Sequence, residues 1–102
     1  MTFNVIVEAE AQQDWQEAAL FYEEREPEVG SRFNVAVREM LHTLSHEPGR
    51  FRSATSLTHK AKMPPPWPHS IYFTINKQHR EVKILAIWHG ARNPAELRRR
   101  LR

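Results

Sequence analysis

Apolar residues change their spacing several times along the chain, and each change marks an element. Over Thr2–Val7 they alternate, with Phe3, Val5 and Val7 on one side and β-branched residues in series, which predicts a strand. From Ala9 to Glu26 the period lengthens: Ala11, Trp15, Ala18, Ala19 and Tyr22 fall on one helical stripe, with Glu10, Gln13, Glu17 and Glu24 off it. Pro27 has no N–H and disfavours helix in the residue before it, so this helix stops there. A second stripe, Phe33, Val37, Met40, Leu41 and Leu44, predicts a helix that begins near Val29-Gly-Ser31, is capped by Ser31 and ends at Ser45-His-Glu-Pro48-Gly49. The short linker of three or four residues pairs the two helices as an antiparallel hairpin.

Residues 49–56 read as loop. Strand signals follow at Leu57–Met63, Ser70–Asn76 and Glu81–Trp88, the last two joined by the polar turn Asn76-Lys-Gln-His-Arg80. Pro64-Pro-Pro-Trp67-Pro68 cannot sit in a central strand and reads as an edge, a bulge or a rigid connector. Pro94 suits the first position of a short C-terminal helix that runs to about Leu101. The expectation is an α+β fold in which a helical hairpin packs on a small, mostly antiparallel sheet. The order is β-α-α-β-β-β, with a short C-terminal helix.

The length of 102 residues makes a single domain over 1–102, which can bury roughly 65% of its unfolded surface. With 40% hydrophobic and 10% aromatic residues it is globular in composition. The lack of cysteine excludes a disulfide framework and a thiolate metal site, and makes a reducing cytoplasm the simple expectation. Met1-Thr-Phe-Asn-Val-Ile-Val7 is too short and poorly flanked for a signal peptide, and no apolar run approaches the ~18 residues of a membrane span. Charge is segregated. Residues 1–50 hold 4 Arg or Lys against 10 Asp or Glu, a net of −6, and residues 51–102 hold 11 against 2, a net of +9. The basic half attracts polyanions or acidic protein segments.

Candidate chemistry sits in that half. Cleaving RNA through its 2′-OH needs a base, cations around the phosphate and an acid for the leaving oxygen. Lys60, Lys62, Arg92 and Arg99 offer the cations, and His89, or else His59, the acid or base. The structural alternative for His89 is a hydrogen-bonded residue that fixes the turn after the last strand. For Arg92 it is a salt bridge to the acidic helices or a carbonyl contact in the turn. Arg98-Arg-Arg100 and Arg102 read as a solvated run that binds phosphates or acidic peptide without reading sequence. Trp15 and Trp88 belong to the core by position, while Trp67, in the proline loop, is the aromatic expected to be exposed. His42 and His46 stand at i, i+4, but no HExxH context or acidic third ligand accompanies them, so neither a metal nor a cofactor is expected. There is no glycine-rich phosphate loop, G-x-S-x-G elbow or cysteine nucleophile.

Several pieces taken together resemble the RelE/ParE superfamily of type II toxin–antitoxin toxins, and within it the ParE-like, plasmid-stabilisation branch. Ala11, Asp14 and Phe21-Tyr22 resemble the family's first helix, and Phe33, Leu44 and Pro48 its second. Trp67-Pro68-His69-Ser70-Ile71-Tyr72-Phe73 resembles the lead-in to its central hairpin, and His89, Arg92, Pro94 and Arg100 its closing pattern. Leu97 stands where the family often has an aromatic, and His69 replaces another. Its ribonucleases carry a late Tyr or His, whereas the last tyrosine here is Tyr72. The resemblance implies a toxin that inhibits DNA gyrase and replication by binding. It also implies a cognate antitoxin whose acidic, flexible C-terminal segment wraps the toxin in a toxin–antitoxin hetero-oligomer, with no membrane involved. The alternative is a RelE-like ribosome-dependent mRNA endoribonuclease using Lys60, Lys62, His89 and Arg92; a third is a non-toxic remnant or an RNA-binding module using the same basic face. The expected target- or antitoxin-binding set is Lys60, Lys62, Trp67, His89, Arg92, Arg99 and Arg100, with Arg92 well held and the Arg98–Arg100 run looser.

Overall fold

A computed structural model describes residues 2–101. Its elements are β1 (Asn4–Val7), α1 (Ala9–Arg25), α2 (Pro27–His46), a 3₁₀ turn at Pro48–Arg50, β2 (His59–Lys62), β3 (His69–Asn76), β4 (Glu81–His89) and α3 (Pro94–Arg100). One sheet runs in the order β1-β4-β3-β2, with β1 parallel to β4 and the other pairs antiparallel. This is the expected hairpin-on-sheet architecture.

Two local differences have physical causes. Helix α2 starts at Pro27, so Glu26 alone separates the helices and Ser31 lies inside α2 rather than capping it. Proline lacks only an N–H that a first helical residue leaves unpaired anyway, and its fixed φ suits that place. Strand β2 is shorter than Leu57–Met63 because the Thr55 hydroxyl accepts from the N–H groups of Leu57 and Thr58 at 3.3 and 3.1 Å. That local turn takes those groups out of the ladder. The proline segment 64–68 joins β2 to β3 outside any strand, which is the connector among the readings offered for it.

The main core lies between the hairpin and one face of the sheet. Phe33, Val37 and Leu44 of α2 meet Ile71, Phe73, Val82, Ile84 and Ile87, with Phe3, Val5, Val7 and Leu41 packed around them. Near the hairpin's turn the helices approach closely: a Cβ on Gly30 would lie 2.9 Å from Glu23 Cβ.

A β-bulge decides what the other face carries. Tyr72 pairs with Ala86 but Phe73 pairs with Ile84, which leaves Leu85 as an extra residue in β4. Without it, Val82, Ile84, Ala86 and Trp88 would share one face. With it, Val82, Ile84 and Ile87 face the helices, while Ala86 and Trp88 turn to the opposite face. There, with Tyr72 and Leu97 of α3, they form a second small core.

Candidate functional site

Strand β1 pairs with β4 only as far as Ile84, so the second half of β4 has an open edge. Helix α1 closes that edge with a carboxylate. Asp14 falls on the inner stripe of α1, three residues after Ala11 and four before Ala18, and its side chain is 4% exposed. Its Oδ2 accepts from the Ile87 N–H at 3.0 Å and from Arg100 Nη1 at 2.6 Å, and its Oδ1 accepts from Arg92 Nη1 at 3.1 Å. A buried carboxylate is tolerable only when paired and hydrogen-bonded, and here two guanidinium groups and a backbone N–H do both. Arg100 also reaches the Leu85 carbonyl and Glu10.

The aromatic cluster beside this pair holds a second buried polar residue. His69, at the start of β3, is 4% exposed and packs against Phe33, Tyr22 and His89. Burial lowers its pKa to about 4; the neighbouring His89 adds to the effect and Asp14 opposes it. Its Nδ1 has no hydrogen-bond partner among the described residues. Burial likewise raises the Tyr22 phenol. His89 Nδ1 accepts from the Ala91 N–H at 2.9 Å, which puts the neutral ring's proton on Nε2. A pocket of about 290 Å³ lies between α1 and these histidines, lined by residues that include Ala18, Phe21, Tyr22, His69, His89 and Arg92.

The expected site residues do not gather in one place. Directly paired residues share a sheet face, so Lys60 and Lys62, opposite Tyr72 and Ser70, lie on the face away from the helices. His69 and His89 pair at the far end of the other face. His89 holds the turn after β4, the structural alternative weighed for it. Arg92 bridges the two: its guanidinium lies 3.8 Å over the Trp88 ring and pairs with Asp14 and Glu96. Trp67 is not the free aromatic expected. It is half-buried, 5.2 Å from both Tyr22 and Phe33 between ring centroids, because the proline connector folds back over the hairpin. The half-exposed aromatic is Phe21 at 50%. Nor is Arg98–Arg100 uniformly loose: Arg98 and Arg99 are exposed, but Arg100 is held by Asp14. Arg102 lies outside the described residues. His42 and His46 do meet edge to face, 4.6 Å between ring centroids, but among the described residues no group of three metal-binding side chains forms.

Residues 5–94 match the family described as the ParE toxin of the type II toxin–antitoxin system, parDE. The chain belongs to the ParE toxin family. It is a type II toxin–antitoxin toxin of the wider RelE/ParE group. Toxin RelE1 of Caulobacter vibrioides is 29% identical over 91 residues, which cover 88% of this ParE-family chain and 96% of that relative. Among solved structures, the chromosomal ParDE system from P. aeruginosa matches with a TM-score of 0.72 at 16% identity, over 85% of this chain and 95% of that one. The toxin–antitoxin complex RelBE2 from Mycobacterium tuberculosis matches at 0.65 with 21% identity, over 87% and 99%. A mutant of E. coli toxin RelE in the free state matches at 0.65 with 9% identity, over 95% and 93%. These three establish the shared fold. No helix of the described residues is long and apolar enough to cross a membrane.

Proposed function

We propose that this ParE-family toxin acts by binding DNA gyrase and arresting replication, and that a cognate antitoxin neutralises it. The observation that carries this reading is the separation of the groups a ribonuclease would need. Lys60 and Lys62 stand on one sheet face and His89 at the end of the other. Arg92 is already paired with Asp14 and Glu96. Acid–base cleavage requires base, acid and cations within reach of one phosphate, and this arrangement favours a binding protein.

The antitoxin reading is supported by charge and by the company the fold keeps. Two of the solved structures of this fold come from systems named as toxin with antitoxin. The +9 half is suited to an acidic, flexible segment. Apolar anchors supply most of the affinity in such a complex, and rim charges set its rate and salt dependence.

The test is direct. Purified protein should reduce supercoiling by gyrase, while a cell-free extract continues to translate without site-specific mRNA cuts. Codon-phased cleavage of ribosome-bound mRNA, with supercoiling unaffected, would favour the ribonuclease alternative and make His89 the first residue to replace.

A further inference from the structure

The sheet face turned away from the hairpin carries cations that have no salt-bridge partner among the described residues. Pairing puts Lys62, Ser70 and Trp88 in one row across it, Lys60, Tyr72 and Ala86 in the next, and Thr74, Lys83 and Ile6 in a third. Helix α3 covers the Trp88–Tyr72 end through Leu97 and presents exposed Arg98 and Arg99. Among the described residues, none of Lys60, Lys62, Lys83, Arg98 and Arg99 makes a salt bridge. Of the two acidic residues in this half, Glu96 is paired with Arg92, and Glu81 lies in the last row beside Asn76 and Asn4. The opposite side has the reverse sign: residues 9–46, the helical hairpin, hold 3 Arg against 8 Asp or Glu, a net of −5. The molecule is therefore polarised across its sheet, and a polyanion meets one side only.

The same face says which kind of polyanion. Single-stranded nucleic acid is held largely by bases stacked on exposed aromatic rings. Here the aromatics of the face, Tyr72 and Trp88, are 9% and 3% exposed under α3. Lysine and arginine without an exposed ring suit a duplex, whose phosphates lie outside and whose bases are already stacked. We propose that the lysine face of the sheet is a docking surface for duplex DNA, so that the toxin engages gyrase on its DNA rather than the free enzyme. The second clause rests on the gyrase reading; the first does not.

The experiment is fluorescence anisotropy of a labelled duplex of about 20 base pairs, titrated with full-length protein between about 50 and 200 mM salt. The face variant is Lys60→Gln with Lys62→Gln and Lys83→Gln, which keeps long side chains over the sheet. The control is Arg25→Gln with Arg32→Gln and Arg38→Gln, which removes the same charge from the exposed side of the hairpin. Circular dichroism checks the fold of both. The face variant should bind DNA at least about tenfold more weakly, and the slope of log affinity against log salt should fall by about 2 to 3. The hairpin variant should match wild type. Equal losses in the two variants would reduce the effect to net charge and overturn the proposal. So would no binding by wild type at low salt, or tighter binding of single-stranded RNA of the same length. Gyrase separates the two readings. If wild type fails to inhibit supercoiling, the gyrase reading fails and the DNA surface stands on its own titration. If wild type inhibits and the face variant inhibits equally, DNA docking is not how the toxin reaches the enzyme.

Discussion

Arg100 donates a 2.6 Å hydrogen bond to Asp14, from the last turn of α3 to the middle of α1. The two residues are 86 positions apart, and their contact ties the C-terminal helix to the hairpin across the open edge of β4. The Arg100 side chain is 12% exposed and that of Asp14 4%, so the pair is shielded from solvent. Removing one partner of such a pair leaves a buried charge uncompensated, at about 3–5 kcal/mol. Asp14→Ala should fall in that range by urea denaturation, since it also orphans the Ile87 N–H. Arg100→Ala should follow closely, because Arg92 compensates only part of the charge. A cost for Arg100→Ala no larger than that for Arg92→Ala would show that the tie contributes little.

His69 should make the fold sensitive to mild acid. Its folded pKa of about 4 lies below the ordinary histidine value of 6.5, so the unfolded chain binds a proton that the native protein refuses. Its contribution is therefore intact above pH ~6.5 and is lost as pH falls towards ~4. Between pH 7 and 5 the loss should be about 2 kcal/mol. His69→Phe keeps a ring against Phe33 and Tyr22 but cannot titrate. Urea midpoints at the two pH values should converge for that variant relative to wild type. An identical pH dependence in both proteins would remove His69 as the cause.

Packing yields a contrast between two positions of α2. Leu44 is fully buried, so Leu44→Ala should cost about 2–5 kcal/mol through lost burial and a residual cavity. Gly30→Ala adds only one methyl, but that methyl would meet the Glu23 Cβ at 2.9 Å, backed by Glu23 backbone atoms at 3.1 Å. The helices must part, which should cost about 1–3 kcal/mol despite alanine's better helix propensity. A stabilised Gly30→Ala protein by thermal melting would mean that the hairpin yields at little cost.

Much of this was legible in the chain, for reasons that particular residues make plain. Periodicity gave the elements their order because Phe33, Val37 and Leu44 face a single sheet, and the alternating Phe3, Val5 and Val7 pack against the same core. The bulge at Leu85 was not legible. Ile84 to Trp88 is an unbroken apolar run, so nothing in the pattern shows where one residue drops out of register. Asp14 left a trace, a carboxylate on an apolar stripe, but its three partners lie 73 to 86 residues away. The looseness expected of Arg98–Arg100 holds for exposed Arg98 and Arg99 but failed at Arg100 for the same reason: charge runs show composition, and only the fold shows that Arg100 turns inward. Trp67 looked exposed because prolines surround it, yet the connector lays the ring on the hairpin.

Arg92 is where structure and function should separate. Its side chain is 38% exposed and it shares Asp14 with the better-buried Arg100, so its loss leaves the carboxylate paired. A half-exposed ion pair of this kind contributes about 0–1 kcal/mol, and Arg92→Ala should remain folded with a nearly unchanged urea midpoint. Its guanidinium is nevertheless held over the Trp88 ring at the rim of the His69–His89 pocket. A charge fixed in this way loses little freedom when it meets an anionic partner, which is the condition for a strong contact. Arg92→Ala should therefore weaken antitoxin binding or abolish growth inhibition, while Arg102→Ala does neither. Growth assays of both variants, with soluble expression and urea midpoints measured alongside, decide it. Wild-type toxicity and unchanged antitoxin affinity in folded Arg92→Ala would leave Arg92 as a residue of the turn and nothing more.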